Sequence, residues 1–163
     1  MSKFNEICES FKISRKQYFD YRDECWKFAN QLINGFREYA KIPNEQFTFV
    51  PLDKEINSDS LYSLMAVMVL QDDTYWHFGF QITLYEAPNI YPYQPILFKI
   101  TLKKSNGKFI VKVGPNFEKA ISLDSEAEKI ELYEYLCNSA VNCFKGSLEK
   151  FLENKAITKR IGF

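Results

Sequence analysis

The chain is sparing with residues that break or staple structure. Its 163 residues include six glycines, six prolines, four cysteines and one histidine, and 21 basic side chains balance 21 acidic ones. So little Gly and Pro, beside a hydrophobic fraction of 46%, excludes collagen-like, low-complexity and disordered chains. Zero net charge lacks the electrostatic footprint of a nucleic-acid binder, so no nucleic-acid partner is expected. Cys8, Cys25, Cys137 and Cys143 are too few and too scattered for a disulfide framework or zinc ribbon, and no CxxC pair occurs. They read as reduced thiols, which makes a cytoplasmic location the expectation. The first ten residues contain no apolar core of the kind a secretory leader needs. The longest apolar run, Leu61 to Leu70, is about half the ~20 residues a helix needs to cross a bilayer. No membrane association is expected, and the run reads as a buried strand. GxSxG, Walker-type, GxGxxG, HExxH and EF-hand patterns are also missing, so no catalytic residue, cofactor or metal is expected.

A chain of this length buries roughly two-thirds of its unfolded surface, which predicts one self-sufficient domain over 1–163, with loose ends at 1–12 and 155–163. From Ser14 to Ala40, Tyr18, Cys25, Phe28, Ala29, Leu32, Phe36, Tyr39 and Ala40 recur at three- and four-residue steps, the spacing of one helical face. Ser14 and Gln17 have the form of a capping box, and Pro43 and Asn44 end the helix. Gly35 inside it costs roughly 1 kcal/mol relative to Ala and marks a close packing contact or early fraying. Strand patterns follow: Gln46–Val50, Leu61–Leu70, and Tyr75–Tyr85, with Trp76, Phe78, Phe80, Ile82 and Leu84 on one side. Tyr75, His77, Gly79, Gln81, Thr83 and Tyr85 take the other side.

Ile96–Lys104 and Lys108–Val113 are joined through Asn106-Gly107, two residues tolerant of the positive φ that a type I′ hairpin demands. That turn sets a register in which Ser105 faces Lys108 and Leu102 faces Val111. Lys99, Thr101, Lys103, Lys108, Ile110 and Lys112 then share the opposite, wet face. From Asp124 or Ser125 the period is helical again: Ile130, Tyr133, Cys137, Ala140, Val141, Phe144, Leu148, Phe151 and Leu152 form the predicted stripe, and Gly146 bends or divides it. The fold class is α+β: an antiparallel meander of about five strands flanked by an N-terminal and a C-terminal helix in two layers.

The stretch Phe80 to Ile100, with Tyr91-Pro92-Tyr93-Gln94-Pro95 at its centre, resembles the third strand, Tyr-Pro-x-x-Pro loop and fourth strand of the ubiquitin-conjugating enzyme fold. RWD domains and non-catalytic conjugating variants share that fold, which also opens with a helix and a meander. Catalytic members follow the motif with a His-Pro-Asn segment and a thioester-bearing cysteine. Here no Cys lies between Ile96 and Leu136 and no His follows His77. The resemblance therefore implies an RWD-like or inactive conjugating-enzyme-like domain that binds other proteins.

His77, the lone histidine, reads as a hydrogen-bonded or solvent-facing structural residue, and Asp72-Asp73 as part of a hairpin turn. Cys25 and Cys137 read as core residues, Cys143 as the exposed thiol, and Cys8 is left unplaced. The five lysines between Ala87 and Phe117 (Lys99, Lys103, Lys104, Lys108, Lys112) have no acid among them. They read as edge protection, or else as a patch for an acidic protein. Tyr85, Tyr91 and Tyr93 surround the Pro88–Pro95 loop, and tyrosine is a residue that interfaces favour. The resulting expectation is a non-enzymatic protein-binding module whose surface combines Tyr85, Tyr91 and Tyr93 with Lys99, Lys103 and Lys112. The alternatives are a small dimeric chaperone or toxin-neutralising protein with an apolar homodimer interface, and an enzyme built on His77 with Tyr or Asp partners.

Overall fold

A computed structural model describes residues 2–57, 59–88, 90, 93–154 and 160–161. The chain opens with α1 (Lys3–Tyr39), a helix of 37 residues capped by Ser2, whose side chain accepts the Asn5 N–H. The helix thus starts eleven residues before Ser14, and Ser14 lies inside it rather than capping it. Residues 3–12, expected as a loose end, are helical. A second valid cap upstream and a run without Pro or Gly let the first turn nucleate there instead.

Strand β1 (Phe47–Val50) follows a short 3₁₀ turn at Asn44–Gln46. The apolar run expected as a strand is instead split. Ser63 caps a single turn, α2 (Leu64–Val67), and only β2 (Val69–Leu70) is extended. Leu64, Val67 and Met68 are buried at helical spacing, while Leu61 is exposed, so a run that fits both periods is settled by its cap. Next come β3 (Trp76–Tyr85), β4 (Tyr93–Ser105), β5 (Lys108–Val113) and β6 (Phe117–Ile121). The hairpin register is as expected, with Ser105 opposite Lys108 and Leu102 opposite Val111, and Asn106 and Gly107 take φ of 54° and 76°. Strand β6 carries little apolar alternation, since only Phe117 and Ile121 are buried, and sequence periodicity does not reveal it.

The strands are ordered β1-β3-β4-β5-β6 with antiparallel neighbours, and β2 also pairs with β3. Near the C-terminus, where a loose end was expected, β7 (Arg160–Ile161) pairs in parallel with Leu97 and Phe98 of β4. Between β6 and β7 lie α3 (Glu126–Phe144) and α4 (Ser147–Asn154), divided at Gly146, whose φ is 67°. The Ser125 hydroxyl accepts the Glu128 N–H and so caps α3. The expected α+β two-layer fold is present, with both long helices on one sheet face.

Aromatic side chains fill the space between the layers. Phe36 of α1 lies 5.8 Å from Phe80 and 6.2 Å from Phe98, Phe80 stacks on Phe98 at 4.8 Å, and Phe28 stacks on Phe109 at 4.0 Å. Such pairs add about 0.5–1.5 kcal/mol each beyond their area burial. The apolar stripe of α3 is rotated from the one expected. Leu132, Tyr133 and Leu136 are buried, whereas Ile130 and Val141 are exposed. Apolar residues on several faces of α3 offer two competing stripes, and contact with the sheet selects between them. Gly35 marks a close contact: the Tyr133 ring and hydroxyl occupy the space a Cβ would take, and that hydroxyl donates to the Leu32 carbonyl at 2.8 Å.

Candidate interaction surfaces

On the outer sheet face, expected to be wet, the structure divides the proposed residues into two groups. At one end of β3, the Tyr75 ring is covered by the ammonium groups of Lys112 at 4.3 Å and Lys103 at 5.1 Å. Lys103 also donates to Thr74 at 3.3 Å, and Lys112 lies 3.7 Å from Glu118 of β6. The Tyr75 hydroxyl, ahead of nearby carboxylates, holds the Lys112 pKa above its ordinary value. At the other end, Tyr85 and Tyr93 face each other across β3 and β4, their rings 6.2 Å apart, and the Tyr85 hydroxyl donates to Gln46 at 2.9 Å. Tyr91 lies outside the described residues.

Ten residue steps along the strand take Tyr75 to Tyr85, roughly 33 Å. The two groups are therefore not one continuous patch. Between them the outer face is apolar and covered: Val50 and Gly79, opposite each other in register, are buried, and Leu52 lies over Gly79 beside Leu97. Lys99 faces this covered centre and is half-buried.

The lysines do not guard an edge either. β4 is flanked by β3 and β5, and β5 by β6, so their ladders are already paired. Acids outside the strip answer it: Glu24 of α1, 80 residues away, binds Lys104 at 2.7 Å, and Glu118 on the adjoining β6 approaches Lys112.

His77 is 7% exposed, its Nε2 lying 2.8 Å from Asp73. The same carboxylate accepts the Tyr75 N–H at 3.0 Å, and Thr74 takes φ of 71°. Burial pushes the Asp73 carboxyl up, but the Tyr75 N–H, the His77 ring and Lys112 together bring it below its ordinary value. This is a turn stapled by its own acid and the following strand, consistent with the hydrogen-bonded structural histidine expected. The other ring nitrogen, Nδ1, is buried without a hydrogen-bond partner among the described residues. The hollow at the hairpin tip, about 470 Å³, is lined by Phe28, Phe109, Ile121 and Leu123 rather than by this cluster.

Cys25 is buried, and burial raises the thiol pKa of both Cys25 and Cys137, as suits packing residues rather than nucleophiles. Cys143, expected as the exposed thiol, is half-buried, while Cys8, left unplaced, is the exposed one, because α1 begins early and carries it into solvent. No group of three His, Cys, Asp or Glu able to hold a metal occurs among the described residues. Nor is any described helix long and apolar enough to cross a membrane.

A further exposed apolar feature lies ahead of Ser14, where the sequence pattern gave no helix. Residues 2–18 are exposed throughout, so the first half of α1 projects as an arm. Phe4, Ile7, Phe11 and Tyr18 are exposed at 71%, 66%, 65% and 44%. Phe4, Phe11 and Tyr18 are seven residues apart and in phase with buried Cys25 and Leu32. One seam thus runs the length of the helix, covered by the sheet at one end and bare at the other. The heptad step was the available sequence signal, hidden by the cap-like Ser14 in its middle.

Fold and surfaces together define an α+β domain with a projecting amphipathic helix. No protein-family profile, curated protein or solved structure matches the chain.

Proposed function

We propose that the chain is a non-enzymatic protein-interaction module whose docking element is the arm of α1. The observation that carries this reading is the bare half of the seam. Phe4, Ile7 and Phe11, exposed on one helical face, stand at the i, i+3, i+7 spacing of helix-in-groove anchors, and Tyr18 continues the stripe one heptad on. Most helix stability in proteins comes from packing of the apolar face rather than from propensity, so the arm gains stability when its apolar side is covered. The tyrosine pair Tyr85 and Tyr93 and the Lys103–Tyr75–Lys112 group are smaller secondary surfaces in the same reading. A cytoplasmic setting agrees with four cysteines among which the described residues form no disulfide. An RWD-like or inactive conjugating-enzyme-like ancestry is supported by the order helix, meander, helix and by the Tyr-Pro-x-x-Pro string alone. Against an enzyme built on His77 stand its burial and the commitment of Asp73 to the turn.

The test is affinity capture from the native host with three baits: the wild-type chain, Phe4→Asp/Phe11→Asp, and Tyr85→Ala/Tyr93→Ala. The arm variant should lose partners that the tyrosine variant keeps. If all three baits recover the same set, the arm is not the docking element.

A further inference from the structure

We propose that the arm of α1 docks along the outward face of α3 in a second copy of this chain, each copy giving its arm to the other. The inference rests on reading the arm as a docking element and names its occupant. At about 100° per residue, Lys12 and Lys3, the latter paired with Glu6 at 3.0 Å, border the seam formed by Phe4, Ile7, Cys8 and Phe11, and Arg15 lies within it, while Glu6, Glu9, Lys16 and Asp20 lie toward the far side with the exposed Ile13. The bare seam is therefore framed by positive charge, and two arms laid against each other would oppose like charges at a cost.

The complementary surface is present on the same chain. Between Glu126 and Phe144, α3 carries four glutamates against one lysine. On its outward side Ile130 is 41% and Val141 60% exposed, bordered by Glu126, which pairs with Lys129 at 2.6 Å, and by Glu134, which accepts the Tyr39 hydroxyl and keeps its negative charge. Ile130 and Val141 are eleven residues apart, the same interval as Ile7 and Tyr18. An acidic, partly apolar helix matches a basic-framed apolar one in both charge and length. A two-fold arrangement repeats this contact, arm on α3 and α3 on arm, which closes the assembly at a dimer. Six aromatic side chains and two isoleucines from the arms bury on the order of 1,000 Å² together, the low end for a specific interface. A membrane surface is the less suitable occupant: five basic and five acidic residues balance between positions 3 and 24, and Ser14 and Arg15 interrupt the seam.

Sedimentation equilibrium of the full chain, from low micromolar to several hundred micromolar, tests the proposal. The wild type should approach twice the monomer mass. Phe4→Asp/Phe11→Asp and, separately, Ile130→Asp/Val141→Asp should each weaken association at least ~10-fold. All four positions are exposed, and circular dichroism checks that each variant stays folded. An equimolar mixture of the two variants keeps one intact arm on one intact α3, so it should regain a heterodimer that neither forms alone. An α3 variant that dimerises like the wild type overturns α3 as the seat. A monomeric wild type that sediments with phosphatidylserine vesicles overturns the proposal in favour of a lipid surface. A wild type that stays monomeric without vesicle binding also discards self-pairing. If its arm variant still loses captured partners, the interaction-module reading survives that failure; if it loses none, both fall.

Discussion

Two glycines separate the effects of space and of backbone conformation. At Gly35 the Tyr133 hydroxyl fills the position of a Cβ, whereas around Gly107 nothing lies within 4 Å but φ is 76°. Gly35→Ala gains about 1 kcal/mol of helix propensity yet forces a tight core apart at about 1–3 kcal/mol, so a net loss is expected in urea unfolding. Gly107→Ala should lose about 1 kcal/mol through φ alone. Unchanged midpoints would contradict the tight contact at Gly35 and the backbone requirement at Gly107. Tyr133 gives a pH prediction. Burial, reinforced by Glu126 and Glu38, pushes its pKa up to about 12. The unfolded phenol ionises near 10, so its contribution is complete below that pH, shrinks as pH rises from 10 toward 12, and is gone above. The gap corresponds to about 2–3 kcal/mol. Tyr133→Phe should flatten this part of the stability profile, read as the urea midpoint at pH 9 and at pH 11.5.

At the scale of elements, caps decide more than periodicity does. Ser2, Ser63 and Ser125 each accept an N–H from the residue three positions on, and each starts a helix. Only the last of these starts follows directly from the sequence, where acids crowd the first turn. The other two are obscured, one by the equally plausible Ser14 and the other by an apolar run that fits a strand. Ser125→Ala should cost about 1 kcal/mol. A loss well below that in thermal melts would mean that Glu128, which accepts the Ser122 N–H at 2.8 Å, holds the turn by itself. The hairpin, by contrast, was legible in full, because the turn residues, the register and the face of every side chain follow from Asn106-Gly107 and a period of two.

For the whole molecule, the same residue type should behave in opposite ways in the core and on the arm. Phe98 is 1% exposed and stacks on Phe80, so Phe98→Ala should cost about 3–5 kcal/mol. Phe11 is 65% exposed, and Phe11→Ala should leave the stability of the isolated domain within about 0.5 kcal/mol while weakening association. Dilute and concentrated samples melted side by side distinguish the two effects, since a self-associating chain gains stability with concentration. The expected partner surface did not survive as one patch. Tyr85 and Tyr93 lie at one end of β3 and Lys103 and Lys112 at the other, Lys99 faces the centre, and the chain after β1 covers the face between them, Tyr91 being outside the described residues.

Local pattern by itself determined the order helix, meander, helix, the inward row Trp76, Phe78 and Phe80, and the register of the β4–β5 hairpin. Each depends on spacing along the chain and on φ preferences of single residues, which operate without distant contacts. Tertiary structure alone decided which side of α3 is buried, that Leu52 covers Gly79, that Glu24 answers Lys104, and that the seam of α1 runs out past the sheet. Those outcomes depend on which surfaces meet across many residues of sequence, and periodicity gives a helix an apolar face without saying how much of it another element will cover.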